Sequence, residues 1–133
     1  MFAILGNEVQ FVFNPASVVG PNIKLGKLIA LGVTSATRYR LFPDVPTVAE
    51  SGVPGVQVES WYGILAPART PQDAIRWINR EVNNALQSPA VRENYDTFGV
   101  EPIGTSPEQF ADHIRSELAK WANVVKLAGI RID

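Results

Sequence analysis

Cysteine is absent from this chain of 133 residues, and histidine occurs only once, at His113. Without cysteine the protein has neither a disulfide framework nor a thiolate nucleophile, and neither a reducing nor an oxidising compartment is favoured. A single histidine without a second soft ligand does not make a zinc site. We therefore expect neither thiol chemistry nor a bound metal.

An excess of charge of one sign and long apolar runs are also lacking. Twelve Lys and Arg residues against 13 Asp and Glu residues give a formal net charge of −1, which predicts no nucleic-acid partner. The longest apolar runs, such as residues 28–33, are far shorter than the ~20 residues of a membrane span. The N-terminus has no basic segment before a long apolar one, so these residues predict no signal peptide and a cytoplasmic chain. With 46% hydrophobic residues, the sequence predicts one globular domain.

Catalytic and nucleotide-binding patterns are missing as well. No serine lies in a G-x-S-x-G turn, no glycine-rich phosphate loop occurs, and no close carboxylate pair stands outside the predicted helices. His113 flanks the apolar stripe of a predicted helix, which is typical of a partly exposed surface histidine. We expect that the chain is not an enzyme and that it uses no cofactor.

Two apolar stretches, residues 9–13 and 28–33, predict buried strands, and residues 56–66 predict a third, long strand. Between the first two, Asn14 is expected to cap a helix with Pro15 in its first turn, although Gly20-Pro21 should interrupt it. Strand, helix and strand with short connections form a βαβ unit, which predicts parallel pairing within an α/β sheet.

Three further helices are predicted in the second half, each opened by Ser or Thr followed by Pro. The pairs are Thr70-Pro71, Ser88-Pro89 and Ser106-Pro107. Apolar residues at helical spacing follow each pair, and the helices should end near Gln87, at Gly99 and at Gly129. The last helix should open with a capping box.

A stiff connector is predicted at residues 43–52, with the sequence PDVPTVAESG. Its two prolines fix two φ angles and favour extended residues before them. Thr47 and Glu50 have the spacing of a capping box, which predicts one short helical turn, and Gly52 can end that turn. We interpret this stretch as a rigid surface connector and not as a chemical site.

One candidate binding feature lies at residues 14–17. These residues follow a predicted parallel strand and open a helix. In α/β sheets, ligands bind at this end of the strands, where unbonded backbone N–H groups suit an anionic group. The alternative interpretation of the same residues is an ordinary helix start with nothing bound.

Four blocks of the sequence carry a family resemblance: residues 26–35 (GKLIALGVTS), 41–52 (LFPDVPTVAESG), 60–67 (SWYGILAP) with Thr70-Pro71, and 99–102 (GVEP) with the helix after Ser106. They resemble the Bug-type solute-binding proteins of tripartite tricarboxylate transporters. The similarity runs in order over practically the whole chain, and the PDVPTVAE block is highly specific.

The resemblance implies a periplasmic receptor with two α/β lobes around a hinge, of the type II-like fold. Such a receptor closes on a small carboxylate and delivers it to a membrane permease. This chain matches the C-terminal part: a βαβ remnant, a crossover strand and three helices. Residues 1–55 would be the tail of the second lobe, 56–67 the hinge or crossover strand, and 68–133 the helical return to the first lobe.

The resemblance also implies which residues bind the ligand. Family members hold carboxylates largely through backbone N–H groups, small polar side chains and ordered waters. The corresponding positions, with the aromatic pair of the crossover strand, are Phe13, Asn14, Ala16, Ser17, Trp61 and Tyr62. Asn14 and Pro15 stand where the family often has Asp and Asn, so a dicarboxylate, a tricarboxylate and an amino acid all remain open as ligands.

Two hypotheses follow from the length of the match. In the first, the chain is the C-terminal piece of a receptor, and carboxylate binding depends on the missing lobe. In the second, it is a free-standing interaction module that buries its apolar faces in a homo-oligomer, a domain-swapped dimer or a complementary chain.

Overall fold

The computed structural model describes residues 2–131 and divides the chain into two compact units. The first unit extends through Ile64 and takes in Tyr95–Glu101; the second consists of Leu65–Asn94 and the chain from Pro102 onward. The helices of the described residues are α1 (Phe2–Leu5), α2 (Ala16–Lys24), α3 (Gln72–Leu86), α4 (Pro89–Thr97) and α5 (Pro107–Ala128). The division at residues 55 and 67, which refers to the lobes of a whole receptor, stays a prediction.

Helix α5 begins and ends as the sequence predicts. The Gln109 backbone N–H donates to Ser106 Oγ at 3.2 Å, and the Ser106 N–H donates to Gln109 Oε1 at 2.9 Å. This reciprocal pair is the capping box. At the other end, Gly129 takes the left-handed conformation with φ 64°. Both ends therefore use local chemistry that the sequence makes visible.

Polar contacts join the second unit around Thr105. Asn79 and Asn83 donate through their side-chain amides to the Thr105 carbonyl oxygen at 2.8 and 3.1 Å. Gly104 lies against the Asn83 side chain so closely that an added Cβ could not be accommodated without movement. These asparagines belong to α3, and α3 contacts α5. The loop before α5 is thus fixed to α3 by side-chain hydrogen bonds.

Helix α2 departs from the sequence prediction at two points. Its N-cap is Pro15 with ψ 141°, and no side chain caps it, so the expected Asn14 cap is wrong. The helix also runs through Pro21 to Lys24 without interruption. Proline in a helix interior removes one N–H donor and crowds one turn. The helix is nevertheless continuous at this position. Gly20, directly before the proline, is buried and lies near the Phe42 ring.

The predicted strands are extended but scarcely paired. A single parallel bridge joins Val33 to Thr47, through the Val33 N–H to the Pro46 carbonyl and the Val48 N–H to the Val33 carbonyl, both at 2.9 Å. Beside it, the Val58 N–H donates to the Thr34 carbonyl at 3.0 Å. Within residues 2–131 no longer ladder forms, so the expected pairing of residues 9–13 with 28–33 is absent there.

The expectation that residues 9–13 and 28–33 are buried is also wrong for this chain. Large side chains along both stretches remain exposed: Phe11, Phe13, Ile29 and Leu31. Burial of a parallel strand requires neighbouring strands and a covering layer on each face. The described residues do not supply those layers. No helix among them is long and apolar enough to cross a membrane.

The Pro-rich connector folds as a braced turn around Thr47. Thr47 is only 3% exposed. Its Oγ1 accepts the Glu50 N–H at 3.0 Å, and its own N–H donates to Glu50 Oε2 at 2.7 Å. Arg38 Nε donates to the same carboxylate at 3.0 Å, and Gly52 ends the turn at φ 97°. The predicted capping-box chemistry at this connector is confirmed.

Acid should weaken this brace. The Thr47 N–H, followed by the Arg38 guanidinium, lowers the pKa of Glu50 below its usual value. A carboxylate with a depressed pKa in the folded state contributes stability that is present above its unfolded pKa and lost as pH falls through the folded pKa. Glu50→Gln should therefore melt lower than the parent near neutral pH. The difference should shrink below the ordinary range of a Glu carboxyl.

Thermal melts from pH 7 to pH 3 measure this convergence. The matched control is Glu8→Gln, since Glu8 is an exposed carboxylate of the first unit far from the brace in sequence. A constant offset between parent and Glu50→Gln across the whole range would contradict a charge-dependent brace.

Candidate functional site

The start of α2 presents backbone donors that the helix does not use. The Pro15 carbonyl accepts the Val18 N–H at 2.9 Å and the Val19 N–H at 3.3 Å. The N–H groups of Ala16 and Ser17 precede these first bonds. The first turn contains no acidic residue, and no side chain caps it. This end of the helix therefore carries a positive partial charge that no side chain of its first turn compensates and that can attract an anion.

The predicted site residues around this helix start differ in exposure. Asn14 and Ala16 are half-buried, whereas Ser17 is exposed. Phe13 is 76% exposed and meets Phe11 edge-on, with ring centroids 6.4 Å apart. The structure thus gathers two small polar side chains, two backbone donors and an open aromatic ring at one place.

The predicted aromatic pair lies on a different segment of the same unit. Trp61 and Tyr62 belong to the extended stretch 56–64, which the hydrogen bonds of Val58 hold beside Thr34. Trp61 is 42% exposed and Tyr62 is 82% exposed. The six predicted residues consequently form two groups: the start of α2 and the aromatic pair.

Sequence reasoning missed a polar concavity of about 280 Å³ in the first unit. Its lining residues are Ser35, Thr37, Arg38, Tyr39, Arg40, Glu59 and Glu101. The guanidinium groups are already partnered, since Arg38 pairs with Glu50 and Arg40 with Asp96. The concavity is therefore internally neutralised and offers a free anion little attraction. The two arginines that flank Tyr39 in the RYR sequence at 38–40 were the signal for it.

Tyr39 ties this concavity to the end of α4. Its hydroxyl donates to the Gly99 carbonyl, and burial raises its pKa above the ordinary value. Gly99 is in the left-handed region at φ 64°. Its N–H donates to the Asp96 carbonyl, while the Val100 N–H donates to the Tyr95 carbonyl at 2.9 Å. This pattern is the Schellman motif, so the predicted helix end at Gly99 is confirmed.

Metal-binding clusters are absent from the part of the chain that the structure describes. His113 is exposed on α5, and its ring stacks on Phe110 with centroids 6.4 Å apart. The prediction of a surface histidine is confirmed.

Comparison with known proteins assigns the chain to a family. Residues 1–130 match the profile of the tripartite tricarboxylate transporter family receptor, TctC. The protein BugT of Bordetella pertussis is 36% identical over 129 residues, which are 97% of this chain and 40% of BugT.

Part of several solved structures has a backbone similar to that of this chain. Rpa4515 of R. palustris with adipate superposes with a TM-score of 0.83 at 32% identity, over 97% of this chain and 43% of that one. MatC of Rhodopseudomonas palustris with bound malate gives 0.74 at 30% identity, over 93% and 43%. The predicted fold class, part of a two-lobed binding protein, is thereby confirmed. The chain spans about two fifths of the length of these relatives. It belongs to the receptor family of the tripartite tricarboxylate transporters, the TctC/Bug-type periplasmic binding proteins, which are transport receptors and not enzymes.

Proposed function

We propose that this chain is part of a receptor for a small carboxylate and that the start of α2 contributes to the ligand site. The observation that carries the proposal is the pair of ligands held by relatives, adipate in Rpa4515 and malate in MatC. Both ligands are dicarboxylates of four to six carbons in length. A dicarboxylate of this size is the ligand class that we favour for the complete receptor.

The geometry of α2 suits one carboxylate of such a ligand. The N–H groups of Ala16 and Ser17, with the Ser17 hydroxyl, can donate to its oxygens, and the Asn14 amide can add another donor. A negative charge at a helix N-terminus gains typically about 0.3–1 kcal/mol. That modest gain, without a buried cation, is compatible with a receptor that must release what it binds.

Exposed aromatic rings can cover the hydrocarbon part of the ligand. Phe13 and Tyr62 have 76% and 82% of their surface available, and Trp61 has 42%. Ligand sites typically combine such apolar walls with a few polar groups that fix orientation. We assign Phe13, Trp61 and Tyr62 to this role and Asn14, Ala16 and Ser17 to the carboxylate.

The complete receptor would work in the periplasm and pass its ligand to a membrane permease. Since the chain spans about two fifths of its relatives, we infer that a full cleft requires the remaining part of such a receptor. Self-association of the chain is the second candidate, favoured by the exposed Phe11, Ile29 and Leu31. In a homo-oligomer these side chains would be covered by another copy.

An acidic side chain at position 17 should weaken ligand binding without destabilising the fold. The test uses a chimera in which residues 1–130 replace the matching part of Rpa4515. Ser17→Glu places a negative charge beside the bound carboxylate, and we expect the Kd for adipate to rise about tenfold or more, which is about 1.4 kcal/mol. The melting temperature should stay equal or rise slightly, because an acid in the first helical turn is stabilising. Isothermal titration and thermal melts measure the two quantities.

Ser17→Gln is the control, since it has a similar size and no charge. If the Ser17→Glu chimera bound adipate as tightly as the parent chimera, the start of α2 would not be part of the ligand site. A folded chimera that binds neither adipate, malate nor citrate would refute the carboxylate proposal. For the chain without the rest of a receptor, we expect no melting shift with these acids, because half of the cleft would be missing.

A further inference from the structure

Helix α2 lies against the rest of the first unit with one face. Residues three and four positions apart share a face of a helix. The positions of reduced exposure follow this spacing, with Asn22 at the edge of the face: Ala16, Val19, Gly20 and Ile23. Gly20 is the only residue of α2 that is buried. The helix therefore comes closest to its support at Gly20, while Ser17 faces outward and is exposed.

The support at Gly20 is the aromatic ring of Phe42. A Cβ added at Gly20 would lie 3.8 Å from Phe42 Cζ, which is ordinary van der Waals contact. Beyond α2, no other atom of residues 2–131 lies within 4 Å of that position. Glycine has no side chain, so it allows another group to approach the helix backbone closely. The ring of Phe42, which is itself half-buried, thus contacts α2 at its most buried point.

Phe42 is held in place by its backbone and by its ring. Its N–H donates to the Tyr39 carbonyl at 2.9 Å, and its carbonyl accepts the Val45 N–H at 3.0 Å. Its ring packs against the Tyr39 ring, with centroids 5.9 Å apart and planes tilted by 49°. The Tyr39 hydroxyl in turn donates to the Gly99 carbonyl. Phe42 also directly precedes Pro43, the first proline of the connector, so the support of α2 is tied to the most rigid segment of the unit.

We propose that Phe42 is a positioning residue for the ligand site: its ring supports α2 at Gly20 and thereby sets where the first turn of the helix lies. This inference rests on the proposed carboxylate site at that turn. Gly20 follows Ala16 by about one turn of the helix, so a helix displaced at Gly20 moves the N–H groups of Ala16 and Ser17 with it. Hydrogen bonds weaken steeply when their distance and angle change. Phe42 is not assigned to the ligand itself and acts only through α2.

Phe42→Leu in the chimera with Rpa4515 tests this role. Leucine keeps an apolar side chain but withdraws the ring from Gly20, and we expect the Kd for adipate to rise about fivefold or more. Isothermal titration measures the Kd at a temperature at which thermal melts show that the variant is folded. The matched control is Phe110→Leu, since Phe110 is also half-buried but belongs to the second unit. It should lower the melting temperature while the Kd stays within about twofold of the parent value.

Combination with Ser17→Glu distinguishes positioning from a general loss of stability. If Phe42 acts through the start of α2, its effect on binding depends on an intact site there. Phe42→Leu should therefore change the Kd by less than about twofold in a chimera that already contains Ser17→Glu. Equal fold-changes in the two backgrounds would contradict the positioning role.

Gly20→Leu changes the same contact from the side of α2. Leucine has a higher helix propensity than glycine, so the helix itself is not weakened, but the new side chain requires the space of the Phe42 ring. We expect the Kd for adipate to rise, and Phe42→Ala in the same chain should reverse part of that rise. If the parent chimera binds adipate and neither Phe42→Leu nor Gly20→Leu changes the Kd, the positioning role is wrong and the proposed function stands. A folded parent chimera that binds no carboxylate would refute the proposed function and the positioning role with it.

Discussion

Gly99→Ala is expected to destabilise the first unit by about 2–3 kcal/mol. The first contribution is conformational, because Gly99 has φ 64° and a residue with a Cβ loses about 1–2 kcal/mol in that region. The second is steric: the new Cβ would lie 2.7 Å from the Tyr39 hydroxyl oxygen. Tyr39 would have to move away and give up its hydrogen bond to the Gly99 carbonyl, worth about 0.5–1.5 kcal/mol. Urea unfolding measures the change.

Gly26→Ala is the matched control for the conformational part. Gly26 has nearly the same φ, 68°, but nothing lies within 4 Å of its added Cβ. It should therefore lose only the first contribution. In the Tyr39→Phe background the hydroxyl is gone, and Gly99→Ala should cost about as much as Gly26→Ala. Equal costs for Gly99→Ala and Gly26→Ala in the parent background would show that Tyr39 does not restrict position 99.

Local chemistry explains which features the sequence could predict. The capping box of α5 needs only Ser106 and Gln109, three residues apart, and both hydrogen bonds form. Thr47 and Glu50 repeat that spacing in the connector, and their two bonds also form. At α2, by contrast, Ser17 stands where a Glu or Gln would complete the box. There the chain keeps Pro15 extended at ψ 141° and starts the helix one residue later than predicted.

Features that depend on distant residues could not be predicted in the same way. Tyr39 and Gly99 are 60 positions apart, and no spacing rule connects them. The prediction of buried strands was wrong for a related reason. An apolar stretch such as residues 28–33 predicts a strand with side chains suited to burial, but whether it is buried depends on the segments that cover it. The start of α2 was identifiable as a candidate site because a helix N-terminus after a strand is itself a local feature.

Thr47→Val should destabilise the first unit by about 1–2 kcal/mol, although the shape of the side chain is preserved. Thr47 is the hub of the connector: its Oγ1 accepts the Glu50 N–H at 3.0 Å while its backbone lies in the bridge to Val33. Valine fills the same space and opens no cavity, so the measured loss reports the hydroxyl. Loss of a capping hydroxyl typically costs about 0.5–2 kcal/mol. Removing an acceptor at a site only 3% exposed places the effect in the upper part of that range.

Thr37→Val makes the same chemical change at an exposed threonine of the first unit and should shift stability by less than about 0.5 kcal/mol. Thr47→Ser keeps the acceptor, so the Glu50 amide should stay protected from hydrogen exchange in that variant and lose protection in Thr47→Val. These two readouts distinguish the contribution of the Thr47 hydroxyl from that of its methyl group. Retained protection at Glu50 in Thr47→Val would mean that the turn is held without the hydroxyl, by the prolines and by the contacts of the Glu50 carboxylate with Arg38 and the backbone N–H of residue 47.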